Sequence, residues 1–376
     1  MNAEELLEKW VNQNSHHDNI AGLMTVLEQV ANEAQGLGME IEWHRAVYGR
    51  ASALCTTLHA TKNGHPINQP SKTILFVTHA DTVFPEKSSF QSIHWNEDRS
   101  VAIGPGVIDD KGGIIVALLA LEKLAALPDR NFEVKFICMP SEEIGSPGYS
   151  KWLENISKTA SMVLGFEPSL PDGSIIHSRR GNRWYELIMR GPGGHAGRDA
   201  GKVPNAASAL AALAIEIEKL GSPNAGTSAT LGSIHSNTNG FNVIPSETIV
   251  KIDVRYDTNE LRDQLHSKII DLIERHPLTD QIAWKLIEDC PAMGFNPEST
   301  PWGEKFIQAI ERLESKTISI VAASGSSDSN YLYRPGIPMI DGLGPVGSGL
   351  HTENETLVVS SLNTRAEAVF GVIREI

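Results

Sequence analysis

Cationic side chains are scarce here. Lysine and arginine total 32 against 46 aspartates and glutamates, a formal net charge of −14 over 376 residues. No basic run or stripe offsets the deficit, which disfavours nucleic acid as a partner. An anionic small molecule stays possible if local cations hold it. Long hydrophobic runs are also missing: nothing approaches 18 uninterrupted apolar residues. The opening MNAEELLEKWVNQ reads as an amphipathic helix with early acids, not as a basic stretch followed by an apolar one. The expectation is no membrane span, no secretory leader and a cytoplasmic protein. Cysteine is nearly absent. Cys55, Cys138 and Cys290 are far apart, odd in number and form no CxxC pair, which predicts buried free thiols in a reducing compartment. The sequence has no internal repeat, no P-loop GxxxxGK[ST] and no GxSxG, which argues against nucleotide hydrolysis and serine-hydrolase chemistry.

What is present suits a globular protein, 41% hydrophobic and 21% charged, and too long for one ordinary core. TILFVTHAD is an apolar run that turns polar at its end, a buried strand delivering side chains to a sheet edge. IIVALLALEKLAALP has helical periodicity stopped by Pro128, and FEVKFICMPSEE and SMVLGFEPS read as further strands. Strand, helix, strand at this spacing predicts an α/β fold with a mostly parallel sheet, whose ligands bind beyond the carboxyl ends of the strands. From about Arg180 the order becomes β-α-β-β-α-β, a split-βαβ unit. After Pro291 the α/β character resumes, with EKFIQAIERLES and LNTRAEAVFGVIREI as helices and SIVAAS and PMIDGLG as strands. Chemically suggestive residues lie on both sides of the middle segment. The expectation is a catalytic metal-binding domain of residues 1–180 and 295–376, with an inserted α+β ferredoxin-like domain of residues 181–294.

His79 and Asp81 are two apart at a strand end, so both side chains can share a face. Imidazole is a good zinc ligand, and a carboxylate commonly orients it. Asp109 and Asp110 follow a glycine turn and precede a helix. Either suits the positive helix end without any metal, and two adjacent acids do not easily face one ion, so at most one is a ligand. Glu142 and Glu143 diverge at another strand end, which suits one as ligand and its neighbour as proton carrier. Glu167 closes a third strand, and His351 lies in the glycine-rich GPVGSGLHTENE. Singly, each reads more readily as a cap, a solvated loop acid or a surface histidine. Together they supply two imidazoles and three carboxylates, a donor set without thiolate that fits a pair of zinc ions, with manganese or cobalt as alternatives.

The stretches THADTVFP, GPGVIDDKGG, SEEIGSPG, GFEPS, GPGGHAG with VPNA, and GLHTENE occur in this order over about residues 78–355. The chain thereby resembles the M20 metallopeptidase family, with Thr78 standing where glycine often precedes the first histidine. The resemblance implies that His79 and Glu143 complete one metal, Glu167 and His351 the other, and that Asp109 bridges them. Asp81 would orient His79, and Glu142 would carry a proton from the attacking water to the leaving amine. His195, in GGHAG, would steady the tetrahedral oxyanion, often from the partner subunit, which implies a homodimer through the inserted lid or dimerisation domain. Asn242 and Arg255 match substrate-holding positions. For Arg255 a fork on a free carboxylate and a plain pair with a neighbouring acid are equally open. Arg179 and Arg180 are further candidates beside the domain junction. The pattern looks nearest to the glutamate carboxypeptidase branch, acting on a small amino-acid or short-peptide substrate. The alternatives are an N-acyl-amino-acid deacylase of the acetylornithine or succinyl-diaminopimelate type, and a homologue that binds metal without catalysis. Gly342-Leu-Gly-Pro-Val-Gly347 formally matches a dinucleotide GxGxxG, but no helical pattern follows it.

Overall fold

In a computed structural model, which describes residues 1–45, 49–67 and 70–376, the apolar run before His79 is a strand, Lys72–His79, with its last six residues buried. A side chain buried on both faces is what a central parallel strand requires. Six strands form the sheet around it, in the order Glu40–His44, Ala53–Leu58, Phe132–Met139, Lys72–His79, Met162–Gly165, Met339–Ile340. The last four run parallel, and the first two are added antiparallel. That antiparallel edge was not anticipated. The Ile320–Ala323 strand pairs with Ile175–Arg179 in a separate ribbon rather than joining the main sheet.

Helix Lys111–Ala125 is buried on nearly all sides, the signature of a helix covered on every face. It packs against Ala3–Val11 and Val359–Ile373. Phe76, Phe136, Phe166 and Leu118 anchor the core between sheet and helices, each contributing about 1.5–3 kcal/mol by leaving water. Gly113 is in the first turn of the Lys111 helix, where a Cβ would collide with the Asp110 carboxylate and the Phe166 carbonyl. Only glycine lets this helix start so close to the strand ends.

The chain divides into two compact units: Met1–Ser178 with Phe295–Ala323 and Ser327–Ile376, and Arg179–Gly294 with Ser324–Ser326. In the second, four strands form an antiparallel sheet in the order Thr227–Ser236, Glu247–Tyr256, Gly181–Arg190, Ile282–Cys290. Helices Ala206–Glu218 and Asn259–Glu274 complete a β-α-β-β-α-β unit. Asn205 caps the first helix by accepting from the Ala207 and Ser208 N–H groups, and Thr258 caps the second. Alternation along the strands sends Tyr185, Leu187, Val250, Ile252 and Val254 into the core beneath the helices. The fold is thus α/β with a mostly parallel sheet, plus an inserted α+β unit. All three cysteines are buried and unbridged. Among the described residues no helix is long and apolar enough to cross a membrane.

Candidate metal centre

Parallel pairing aligns the strand ends. His79 pairs with Met139 and Val77 with Gly165, so Glu142, Glu143 and Glu167 leave the sheet at the edge where His79 ends. Asp81 then organises two of these segments. Its buried carboxylate accepts the main-chain N–H groups of Glu142 (3.0 Å) and Glu143 (3.1 Å), fixing the short 3-10 turn that carries both glutamates. The His79 Nδ1 lies 3.1 Å from the Asp81 carbonyl and 3.4 Å from its carboxylate. Nδ1 therefore carries a proton, which leaves Nε2 as the ring atom that faces the site and would offer its lone pair to a cation.

Asp109 lies between the two imidazoles. Its Oδ1 is 3.0 Å from His79 Nε2 and its Oδ2 is 3.2 Å from His351 Nε2. Glu167 Oε1 is 3.8 Å from His79 Nε2, and Glu143 Oε2 is 3.1 Å from His351 Nε2. Two tripods result, His79–Asp109–Glu167 and Asp109–Glu143–His351, each with its donor atoms within 4.8 Å of one another. The pairing differs from the expected one, in which Glu143 accompanied His79. The Asp81 grip turns Glu143 toward the His351 loop, while the strand ending at Gly165 delivers Glu167 beside its neighbour's His79.

The electrostatics explain why such a set suits cations. Burial pushes the Glu143 carboxyl up to about 7, with Asp109 adding to it. Burial and then Glu167 hold the Glu142 carboxyl well above the usual carboxylate range. Hydrogen bonds to Asp109 and then Glu143 raise the His351 imidazole to about 10. Burial opposes a charge on His79, but Asp109 and Asp81 carry it well above its ordinary value. The cluster thus draws positive charge onto its imidazoles and raises the proton affinity of Glu142 and Glu143, while, against burial, the His351 and His79 imidazoles hold the Asp109 carboxyl well below the usual carboxylate range. Divalent ions at the two tripods would supply that charge instead. The donor chemistry, nitrogen and oxygen with one carboxylate shared by its two oxygens, fits a pair of such ions.

Three groups support the site, of which the sequence pointed only to Asp110, as the acid of the pair that is not a ligand. Glu355, buried, accepts the N–H groups of Gly106 (3.0 Å), Ile108 (2.9 Å) and Asp109 (3.1 Å), shaping the loop that presents Asp109. Asp110, joined to Asp109 by a cis peptide bond, accepts the His79 N–H through Oδ2 (3.2 Å). Buried Lys111 donates Nζ to the Gln13 carbonyl (3.1 Å). The only advance signal for Glu355 was its place in GLHTENE. The GLGPVG stretch proves to be a packing loop. Gly344 donates its N–H to the Glu167 carbonyl (3.0 Å), and a Cβ there would strike the Phe166 and Glu167 carbonyls.

The remaining candidates lie in the inserted unit. His195 is exposed and pairs with Val243. Its Nδ1 accepts the Gly197 N–H (3.1 Å), so Nε2 holds the proton and is a donor. Exposed Asn242 stands beside it and accepts the Ala196 N–H through its carbonyl (2.9 Å). Arg255 is on strand Glu247–Tyr256, its Nε on Asp253.

The profile of peptidase family M20/M25/M40 matches residues 75–375. The chain belongs to this family. It is therefore a hydrolase, and M20 enzymes depend on a dinuclear metal centre, for which the two tripods are the candidate ligand groups. Among its curated relatives is a succinyl-diaminopimelate desuccinylase of Pseudomonas syringae pv. syringae, 26% identical over 289 residues, covering 74% of this chain and 75% of the relative. The enzyme of the same name from Leptothrix cholodnii is 26% identical over 380 residues, covering 95% and 94%. Among solved structures, the aminopeptidase PepT of Bacillus cereus is 25% identical with a TM-score of 0.77, covering 100% of this M20 chain and 99% of its own. The M20 metallo-carboxypeptidase Sso-CP2 of Sulfolobus solfataricus shares the fold, with a TM-score of 0.81 at 15% identity, covering 100% and 99%.

Proposed function

We propose that this M20 hydrolase cleaves the amide bond of a small N-acylated amino acid. The observation that carries the hydrolytic reading is Asp109 set between His79 and His351, with Glu142 beside the cluster. His79, Asp109 and Glu167 would hold one zinc ion, and Asp109, Glu143 and His351 the other. Bound there, the ions would polarise the scissile carbonyl and acidify water. Among the described residues Glu142 is in none of the hydrogen bonds or ion pairs that link the five donors, and burial and then Glu167 raise its proton affinity above that of an ordinary carboxylate. It takes the proton of the attacking water and passes it to the departing nitrogen. Asp81 holds His79 in the tautomer that keeps Nε2 free. The Nε2–H of His195 is a donor of the kind an oxyanion needs, and Asn242, its neighbour, is a further polar contact. An Arg255 guanidinium is suited to a free carboxylate of the substrate. The inserted unit would serve as lid and dimerisation element.

Deacylation is favoured over glutamate-type carboxypeptidase action because relatives that span most of the chain are named succinyl-diaminopimelate desuccinylase. A second reading, hydrolysis of short peptides, draws support from the likeness to PepT. A panel of N-succinyl-diaminopimelate, N-acetylornithine, N-acetyl- and N-aminobenzoyl-glutamate, and di- and tripeptides, run on zinc-loaded protein, separates them. Deacylation of at least one N-acyl amino acid well above every peptide is the expected result. Turnover confined to peptides would replace the reading with peptidase action, and no turnover at measured full metal content would overturn it.

A further inference from the structure

Arg255 is held in a particular way. Its Nε donates to both oxygens of Asp253, at 2.8 and 3.1 Å. Asp253 is fixed in turn by the indole of Trp184, whose Nε1 donates to Oδ2 at 2.8 Å. Trp184 and Asp253 stand directly opposite each other on neighbouring antiparallel strands. Residues 253 and 255 alternate with buried Ile252, Val254 and Tyr256, which pack beneath the helices, so this triad occupies the helix-free face of the sheet. All members are partly exposed. Among the described residues, the two terminal nitrogens of Arg255 have no hydrogen-bond partner.

A guanidinium tied at Nε cannot rotate about its last bonds freely, and the edge it leaves open is the Nη1/Nη2 pair. Those two parallel N–H donors match the two oxygens of a carboxylate. If Asp253 were absent, the arginine would spread over several rotamers and pay their entropy on each binding event. The Trp184 indole has one donor and spends it on Asp253, which keeps the acid from swinging toward the Nη edge.

We infer that Asp253, itself clamped by Trp184, is a positioning residue that presets the open edge of Arg255 for the free carboxylate of the substrate. The inference rests on the N-acyl-amino-acid reading above and adds to it the residues that set carboxylate recognition.

The test is steady-state kinetics on zinc-loaded protein with N-acetyl-L-glutamate, or the panel member turned over fastest, and with the α-carboxamide of the same compound. The variants are R255A, D253A, D253N, W184F and the double variant D253A/R255A, each checked for metal content and thermal midpoint. For the free acid, D253A should raise KM on the order of 10- to 100-fold with kcat within about threefold, the range expected for losing charge-assisted bonds. D253N, which keeps an acceptor oxygen, should recover part of that, and W184F should raise KM a few-fold. KM for the carboxamide should barely move. The double variant should be no worse than R255A alone, because Asp253 acts through the arginine. Additive losses, or an unchanged KM in D253A while R255A raises it, would overturn the positioning role. An unchanged KM in R255A itself would instead remove the carboxylate fork. A loss of kcat and thermal midpoint in step, equal for acid and carboxamide, would reduce Asp253 to a structural strut.

Discussion

Glu142 and Glu143 are chain neighbours with the same side chain, yet their surroundings differ, which supports the proposed division into proton carrier and ligand. Glu143 Oε2 meets His351 at 3.1 Å, whereas burial and then Glu167 hold the Glu142 carboxyl above the usual carboxylate range. Glu142→Ala should therefore retain both ions by metal analysis while turnover falls by about 10²–10⁴-fold; a near-normal rate would remove it as proton carrier. Glu355 makes the opposite prediction. It touches no donor side chain but holds three N–H groups of the Asp109 loop. Glu355→Ala should weaken metal retention by about 10–100-fold in a competition with a chelator, with a smaller effect for Glu355→Gln. His351, at a backbone φ of 60°, adopts a left-handed conformation that costs a non-glycine residue energy. Its loop is closed locally by Thr352, whose N–H and hydroxyl both donate to the Gly349 carbonyl, at 3.1 and 2.8 Å.

At the scale of elements, the strands deliver chemistry at their ends and stability along their length. Glu288, on the last strand of the inserted unit, stands opposite Trp184, is 9% exposed, and has one carboxylate oxygen without a partner. Burial pushes its pKa up to about 7 from an ordinary 4.5. Because the folded value is the higher one, the folded unit binds the extra proton. The associated stability is fully present below about pH 4.5 and is lost as pH rises through about 7. Glu288→Gln should then match the native protein near pH 4.5 and exceed it in stability at pH 8, by about 3 kcal/mol at most, read as a higher thermal midpoint. A difference that stays constant with pH would contradict the assignment. The elements also show what the sequence makes visible. Apolar runs ending in His79, Glu143 and Glu167 announce strands with chemistry at their tips, because a buried strand has nowhere else to put a charge. Which carboxylate joins which imidazole is not written in spacing, since it depends on the turn that Asp81 imposes on residues 142–144. Glu355 stayed invisible for a similar reason: its partners are backbone N–H groups, which leave no trace in side-chain pattern. The antiparallel edge Glu40–His44 and Ala53–Leu58 escaped notice because short, mixed strands have weak periodicity.

At the scale of the molecule, each unit has its own hydrophobic cluster, and the five metal-donor candidates belong to one of them. Chelation should abolish hydrolysis and lower the thermal midpoint of that unit alone. Ions held at a hundred times their Kd are worth about 2.7 kcal/mol each. Scanning calorimetry of metal-loaded and chelated protein reads this directly, and a shift in both transitions or in neither would count against a centre confined to these residues.

The bonds from Glu355 to Gly106, Ile108 and Asp109 join positions 246 to 249 residues apart, with the whole inserted unit between them. During translation the loop bearing Asp109 leaves the ribosome long before its clasp exists. A nascent chain displaying His79, Glu143 and Glu167 still lacks His351 and the acid that shapes the shared carboxylate's loop. On the proposed assignment, hydrolytic competence would come only with this segment of a few residues, late in synthesis, and a chain that ends before it would lack one imidazole of the centre.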